Sequence, residues 1–162
     1  MKQSNLGQSS GRIAADNGVA AWRRAVGQLA LACAGSFPGE EAQRLREMRR
    51  LLAEASEPGL LRGLTVPSAE RMDQLVAAEA APSAAFALLG PDCGYLLSRG
   101  AGGQHLASVI LPGADEETSA TGDTVALALI GALGLALVEA DVVDGHRGRV
   151  GMCGISRTRR LN

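Results

Sequence analysis

Aromatic residues are scarce in this chain of 162 residues: Trp22, Phe37, Phe86 and Tyr95 are the only ones. A hydrophobic core must therefore be filled by leucine, valine, isoleucine and alanine, which allow helices to pack closely. Since 46% of the residues are apolar, the chain can bury one sizeable core without disulfides or a metal. Length and composition thus predict a single domain.

Cysteines are few and widely spaced. Cys33, Cys93 and Cys153 are odd in number and form no CxxC pair, which favours reduced thiols in a cytoplasmic protein over a secreted disulfide framework. Ligand motifs of short spacing, such as CxxC or HExxH, are also missing, so we predict neither a metal site nor a cofactor. The N-terminal sequence MKQSNLGQSSGR lacks the apolar segment of a signal peptide, which again indicates a cytoplasmic protein.

Lysine is nearly absent, because Lys2 is the only one and the other basic residues are arginines. Together with abundant alanine, glycine and leucine, this composition is typical of GC-rich bacterial coding. The number of arginines therefore says little about phosphate binding. A net charge of -1 excludes a protein whose whole surface attracts nucleic acid or anionic membranes, so any such binding must be local.

Two apolar stripes with helical spacing predict a helical hairpin over residues 13–57. We expect residues 1–12, which are polar, to be a disordered lead-in, and Asp16 or Asn17 to be the N-cap of the first helix. Residues 35–39 end this helix, and acidic Glu40 opens the second, where the macrodipole favours negative charge. The stripe residues are Val19, Trp22, Val26, Leu29 and Cys33 in the first helix, and Leu45, Met48, Leu52 and Ala55 in the second.

The second half of the chain predicts a βββα unit over residues 83–141, which makes the fold class α+β. Before this unit, Ser68 is expected to cap a short helix that ends ahead of Pro82. Three apolar runs separated by turn residues then predict a three-stranded antiparallel meander with strands over 84–89, 95–99 and 105–111. Both faces of the third strand are apolar, as in a central strand.

The run from Thr124 to Val138 contains no charged residue and is apolar around its whole circumference, which predicts a helix buried on all sides. Ser119 or Thr121 is expected to cap it. The run is shorter than the roughly 20 residues of a membrane span, so we predict no membrane insertion. One side would cover the sheet, and the other would meet the helical hairpin or a second copy of the protein. The predicted partner-binding residues are Leu129, Leu133, Leu137 and Trp22.

Residues 145–162 follow the predicted domain of residues 13–144 and are expected to form a flexible, basic tail. The tail contains arginines and no acidic residue, which favours binding to nucleic acid or to an acidic protein. It has no aromatic residue to stack on bases, and a merely solvated end is the alternative. Its arginines are Arg147, Arg149, Arg157, Arg159 and Arg160, and Arg46, Arg49 and Arg50 in the second helix form another candidate patch, although acidic neighbours balance their charge.

Two further features are candidate chemical sites, a cysteine–histidine pair and a glycine-rich turn. Cys93 lies in a turn and strand pairing could bring it to His105, which would serve as the base of a nucleophilic cysteine. No third, orienting group is indicated, and both residues also suit purely structural positions. The glycine-rich residues 99–103 could wrap a phosphate, but a phosphate loop leads into a helix, and here a hairpin turn between strands is predicted instead.

Three functions follow from these patterns. The sequence favours a small, non-catalytic bacterial protein that associates with itself or with another protein through its apolar helices, and a homodimer is one form of this. The alternative is a nucleic-acid-associated accessory or regulatory protein that uses the arginine-rich tail. An enzyme based on Cys93 and His105 is the third hypothesis.

Overall fold

The computed structural model describes residues 7–140, which fold into helices and one three-stranded antiparallel sheet. The predicted α+β class, with its helical hairpin, short helix, meander and apolar last helix, is confirmed. The helices are α1 (Gly7–Ala34), α2 (Glu41–Ala53), α3 (Ala69–Ala77), α4 (Ala81–Phe86) and α5 (Val125–Glu139), the strands are β1 (Gly94–Arg99), β2 (His105–Ile110) and β3 (Thr118–Gly122), and 3-10 turns lie at Pro38–Glu40 and Pro58–Leu61.

Helix α5 lies in the middle of the molecule, with β2 and β3 on one side and α1 on the other. Two glycines allow this close packing. A Cβ atom at Gly131 would lie 3.1 Å from the Cβ of Ala120 in β3, and one at Gly134 would lie 2.8 Å from the Cβ of Ala30 in α1. The expected burial of this helix on all sides is confirmed, and the helical hairpin covers the side that faces away from the sheet.

Helices α1 and α2 are joined by a buried hydrogen bond, in which the indole Nε1 of Trp22 donates to the carbonyl oxygen of Leu51 at 2.7 Å. Helix α1 begins at Gly7, so the prediction of a helix start at Asp16 or Asn17 is wrong. Once α2 and α5 hold the later turns, each residue added to the helix contributes a backbone hydrogen bond, so a helix can extend beyond its apolar stripe.

The prediction of a strand over residues 84–89 is wrong, because Ala81–Phe86 form helix α4. A short apolar run cannot be assigned to strand or helix by periodicity alone. Here Pro82 lies in the first turn of α4, where its fixed φ suits a helix start, and Ala84 and Ala85 are buried. The third strand is instead β3, in the segment where only the cap of the last helix was expected.

Strand β2 is the central strand, as predicted. Its register with β1 pairs Arg99 with His105 and Gly94 with Ile110. The predicted cap of α5 is wrong, since Ser119 and Thr121 belong to β3. Thr124 caps the helix, and its Oγ1 accepts a hydrogen bond from the backbone N–H of Leu127 at 3.2 Å.

Ser68 caps α3 as predicted, because its side chain accepts a hydrogen bond from the backbone N–H of Arg71 at 3.1 Å. Within residues 7–140, no helix combines the length and the apolar character needed to cross a bilayer. Residues 1–6 of the predicted lead-in and the predicted tail, residues 145–162, lie outside the described residues.

Candidate functional site

The sheet has one face against α5 and an opposite face that carries exposed side chains. Ala107 and Val109 of β2 are fully buried towards α5. Because side chains alternate along a strand, Leu96 and Leu106 point to the opposite face, where they remain 59% and 36% exposed. Ser108 lies between them. Its Oγ is 2.7 Å from the Oγ of Ser119, its cross-strand partner in β3. Ser108 itself is only 4% exposed, so the exposed apolar surface of the outer face consists of the side chains of Leu96 and Leu106.

Strand β1 is an edge strand, and its free peptide groups can be assigned from the hairpin. The backbone N–H of Gly100 donates to the carbonyl oxygen of Gln104 at 2.9 Å, so the peptide groups of Gly100 point towards β2. In an antiparallel ladder, residues that point towards a neighbour alternate with residues that point away. The residues whose peptide groups face the open edge are therefore Tyr95, Leu97 and Arg99.

The two edges of the sheet differ in how they are protected. Native edges are usually shielded by charged residues, prolines or bulges. Strand β3 consists of small residues and is flanked by the acidic residues 115–117 and by Asp123. Strand β1 has one charged residue, Arg99 at its end, while Tyr95 and Leu96 are 56% and 59% exposed. We name Tyr95, Leu96, Leu106 and the outward peptide groups of β1 the open-edge surface.

Tyr95 is held in place on this surface by an aromatic contact. Its ring centroid lies 5.0 Å from that of Phe86 at the end of α4, with the ring planes tilted by 54°. Such tilted pairs are favourable beyond the area that they bury. The tyrosine side chain is therefore oriented before any partner arrives, which lowers the entropic cost of binding.

The residues predicted to bind a partner through the helices are buried within the described part of the chain. Leu129, Leu133 and Leu137 of α5 are at most 2% exposed, and Trp22 of α1 is 8% exposed. All four belong to the core of the chain itself. The physical reason is that α1 and the sheet together cover α5, so that no apolar stripe of this helix is left for a second molecule.

The structure does not bring Cys93 and His105 together. Cys93 precedes β1, whereas His105 pairs with Arg99 at the far end of this strand. A separation of about six strand residues corresponds to roughly 20 Å. The Sγ of Cys93 donates to the carbonyl oxygen of Gly63 at 2.8 Å, and burial raises the pKa of its thiol, which is the opposite of activation.

The glycine-rich residues 99–103 form the hairpin turn between β1 and β2, as predicted. The backbone N–H of Gly103 donates to the carbonyl oxygen of Gly100 at 3.0 Å. Gly103 has a φ of +87°, a left-handed conformation that favours glycine. The turn leads into a strand and not into a helix N-terminus, so the phosphate-loop alternative is not supported.

The candidate patch of arginines on α2 is largely neutralised. The Nε of Arg46 lies 2.7 Å from an oxygen of Asp73, and the Nη1 of Arg50 lies 2.9 Å from an oxygen of Glu54. Arg46, Arg49 and Arg50 line a shallow cleft of about 230 Å³ between α2 and α3. The tail arginines Arg147, Arg149, Arg157, Arg159 and Arg160 lie outside the described residues.

Neither the metal-ligating side chains of the described residues nor the comparisons with known proteins indicate a function. In the part of the chain that the structure describes, no group of three or more histidine, cysteine, aspartate or glutamate side chains is placed to hold a metal ion. Comparisons with protein-family models, with curated proteins and with solved structures find no match to this chain.

The open-edge surface was missed because residues 84–89 were predicted to be a strand, whereas Ala81–Phe86 form helix α4. A strand over 84–89 in a meander would pair with the strand over 95–99, and the edge of that strand would then not be open. The signal in the sequence was the consecutive apolar residues Tyr95, Leu96 and Leu97, which break the alternation of a strand with one buried face.

Proposed function

We propose that this protein acts by binding another protein, without catalysis, and that the open-edge surface is where it binds. The exposure of Leu96, at 59% on an edge strand, is the observation that carries this proposal. Burying a leucine side chain fully is worth about 1.5–3 kcal/mol, so a partner that covers Leu96 gains affinity directly. The apolar side chains of α5, by contrast, are already used in the core. Leu31 of α1 and Phe37 are also exposed, but they lie on a helix and in a turn and offer no strand edge for pairing.

The proposed binding mode is the addition of a strand to β1. In this mode, main-chain hydrogen bonds supply affinity, and pockets for alternate side chains supply specificity. The outward peptide groups of Tyr95, Leu97 and Arg99 would provide the hydrogen bonds. Leu96 and Leu106 would provide apolar contacts on the outer face.

Site-specific photocrosslinking in the cells that produce the protein tests this proposal. A benzophenone amino acid at position 96 or 106 is expected to give discrete protein adducts. The same group at Gln74, an exposed residue of α3, is the matched control and is expected to give none. Absence of adducts at 96 and 106, or equal adducts at 74, would contradict the proposal.

A second candidate function is the binding of nucleic acid or another polyanion through the tail. The five arginines between Arg147 and Arg160, with no acidic residue among them, favour it. This candidate uses a different part of the chain, so the two functions can be tested independently.

A further inference from the structure

We infer that the occupant of the open-edge surface is a second copy of this chain, whose β1 pairs with β1 in antiparallel orientation about a two-fold axis. This inference rests on the proposed function, because it names the partner of the same surface. In antiparallel pairing about a two-fold axis, each contact between two edge residues occurs twice, as is usual in symmetric dimers. The hydrogen-bonding pattern, the apolar side chains and the charges of β1 each support it.

The outward peptide groups fix how the two sheets join. In a hydrogen-bonded antiparallel pair, two residues exchange both of their peptide hydrogen bonds, so an outward residue must face an outward residue. Tyr95, Leu97 and Arg99 are the outward residues, and their side chains share the α5 side of the sheet. Both copies of α5 would therefore lie on one side of a continuous sheet, and both open faces on the other.

The apolar side chains favour a register centred on Leu96. In this register Leu96 faces Leu96 of the second copy, and Tyr95 faces Leu97 of the second copy, so every exposed apolar residue of β1 gains an apolar neighbour. A register centred on Leu97 would instead place Leu96 opposite Ser98 of the second copy and Tyr95 opposite its Arg99. The most exposed leucine of the strand would then gain little.

The charges of the edge are complementary in this arrangement. Asp92 precedes β1 and Arg99 ends it, and both are exposed. In the antiparallel register centred on Leu96, Arg99 comes opposite Cys93 of the second copy and next to its Asp92. A parallel arrangement would place the two arginines side by side, where like charges repel. Opposite charges at the two ends of one strand thus suit a second copy of the same strand.

Disulfide trapping tests the register in the full chain. In a background with Cys93→Ser and Cys153→Ser, the variant Leu96→Cys is expected to form an intermolecular disulfide on mild oxidation. Leu96 points its peptide groups to β2, so it would form a non-hydrogen-bonded pair with Cα atoms about 4.5 Å apart, which a disulfide can bridge. Ser98→Cys is the matched control on the same strand and face, since its two copies would lie roughly 13 Å apart.

The expected result is that Leu96→Cys becomes mostly dimeric on a non-reducing gel while Ser98→Cys stays monomeric. Sedimentation velocity of the unmodified chain is expected to show a dimer at high micromolar concentration. A monomer in that measurement, or equal crosslinking of the two variants, would overturn the inference. If photocrosslinking at position 96 yields adducts of masses other than twice the chain, this inference fails while the proposed function stands; if it yields none, both fail.

Discussion

Cys33 lies where α1 meets α5 and is fully buried. Burial raises the pKa of its thiol from 9.0 to about 12, an effect that Arg44 partly offsets and Glu47 reinforces. The thiol therefore stays protonated in the folded protein at every ordinary pH. Its position in the apolar stripe of α1 was predicted from spacing, but its chemistry depends on neighbours that come from α2 and α5.

This raised pKa predicts how stability depends on pH. The unfolded thiol ionises near pH 9.0 while the folded thiol does not, so the stabilisation is fully present below 9.0 and is lost as pH rises towards about 12. Within this window, Cys33 is expected to lower the free energy of unfolding by about 1.4 kcal/mol per pH unit. Urea unfolding of the wild-type chain at several pH values measures this slope.

The variant Cys33→Ala provides the control for this slope. It lacks the thiol, so its free energy of unfolding should fall less steeply above pH 9.0 than that of the wild type, even if it is lower at neutral pH. Cys93 is present in both proteins, and its titration cancels in the difference. Parallel slopes in the two proteins would show that Cys33 ionises in the folded state as readily as in the unfolded state.

At the scale of single residues, the sequence predicted which side chains are buried better than it predicted which elements they pack against. Spacing identified Val26, Leu45 and Leu129 as core positions, and each is buried. It also assigned Leu129, with Leu133 and Leu137, to a partner, because a sequence shows that a side chain needs cover but not which surface provides it. Helix α1 provides much of that cover, about a hundred positions earlier in the chain.

At the scale of elements, long periodic helices were predictable and short elements were not. Helices α1, α2 and α5 each present a sustained pattern, and their existence was correctly predicted. Helix α4 has only six residues, too few for the helical period to emerge from a run of alanines. Strand β3 is made of threonine, serine, alanine and glycine. These small side chains allow α5 to approach the sheet closely.

The corrected cap of α5 gives a prediction for one element. Thr124→Ala removes the side-chain acceptor for the N–H of Leu127 and is expected to cost about 1 kcal/mol of stability. Thr121→Ala is the matched control, since Thr121 is an exposed residue of β3 and should change stability by less than about 0.5 kcal/mol. Thermal unfolding of both variants measures the difference. An equal loss for the two threonines would mean that this hydrogen bond does not stabilise the helix.

At the scale of the whole molecule, the central position of α5 determines which apolar side chains stay exposed. A helix that is apolar all round needs two layers to cover it, and α1 and the sheet provide them within one chain. Helix α5 then has little apolar surface left to offer, and the exposed large apolar side chains among the described residues are Leu31 and Phe37 of the helical hairpin and Tyr95, Leu96 and Leu106 of the sheet. Strand β1 combines exposed apolar side chains with outward peptide groups, so we expect a partner at the sheet, as the trapping experiment tests.

The charge of the whole molecule leads to the last prediction. The chain has a net charge of -1, yet residues 145–162 contain five arginines and no acidic residue, so the rest of the chain must be acidic. If the tail binds nucleic acid, the full chain should bind labelled DNA or RNA at low salt and lose affinity steeply as salt rises, because each phosphate contact releases a counterion. Fluorescence anisotropy measures this, and a chain that ends at Asp144 should not bind.

A full-length variant in which the five tail arginines are replaced by glutamine separates charge from length. It should behave like the shortened chain, since phosphate contacts depend on the guanidinium charge. Binding that survives in both variants would instead point to the cleft beside Arg49, where Arg46 and Arg50 already have acidic partners and would have to exchange them for phosphate. Absence of binding in all three proteins would leave the open-edge surface as the functional part of the molecule to pursue.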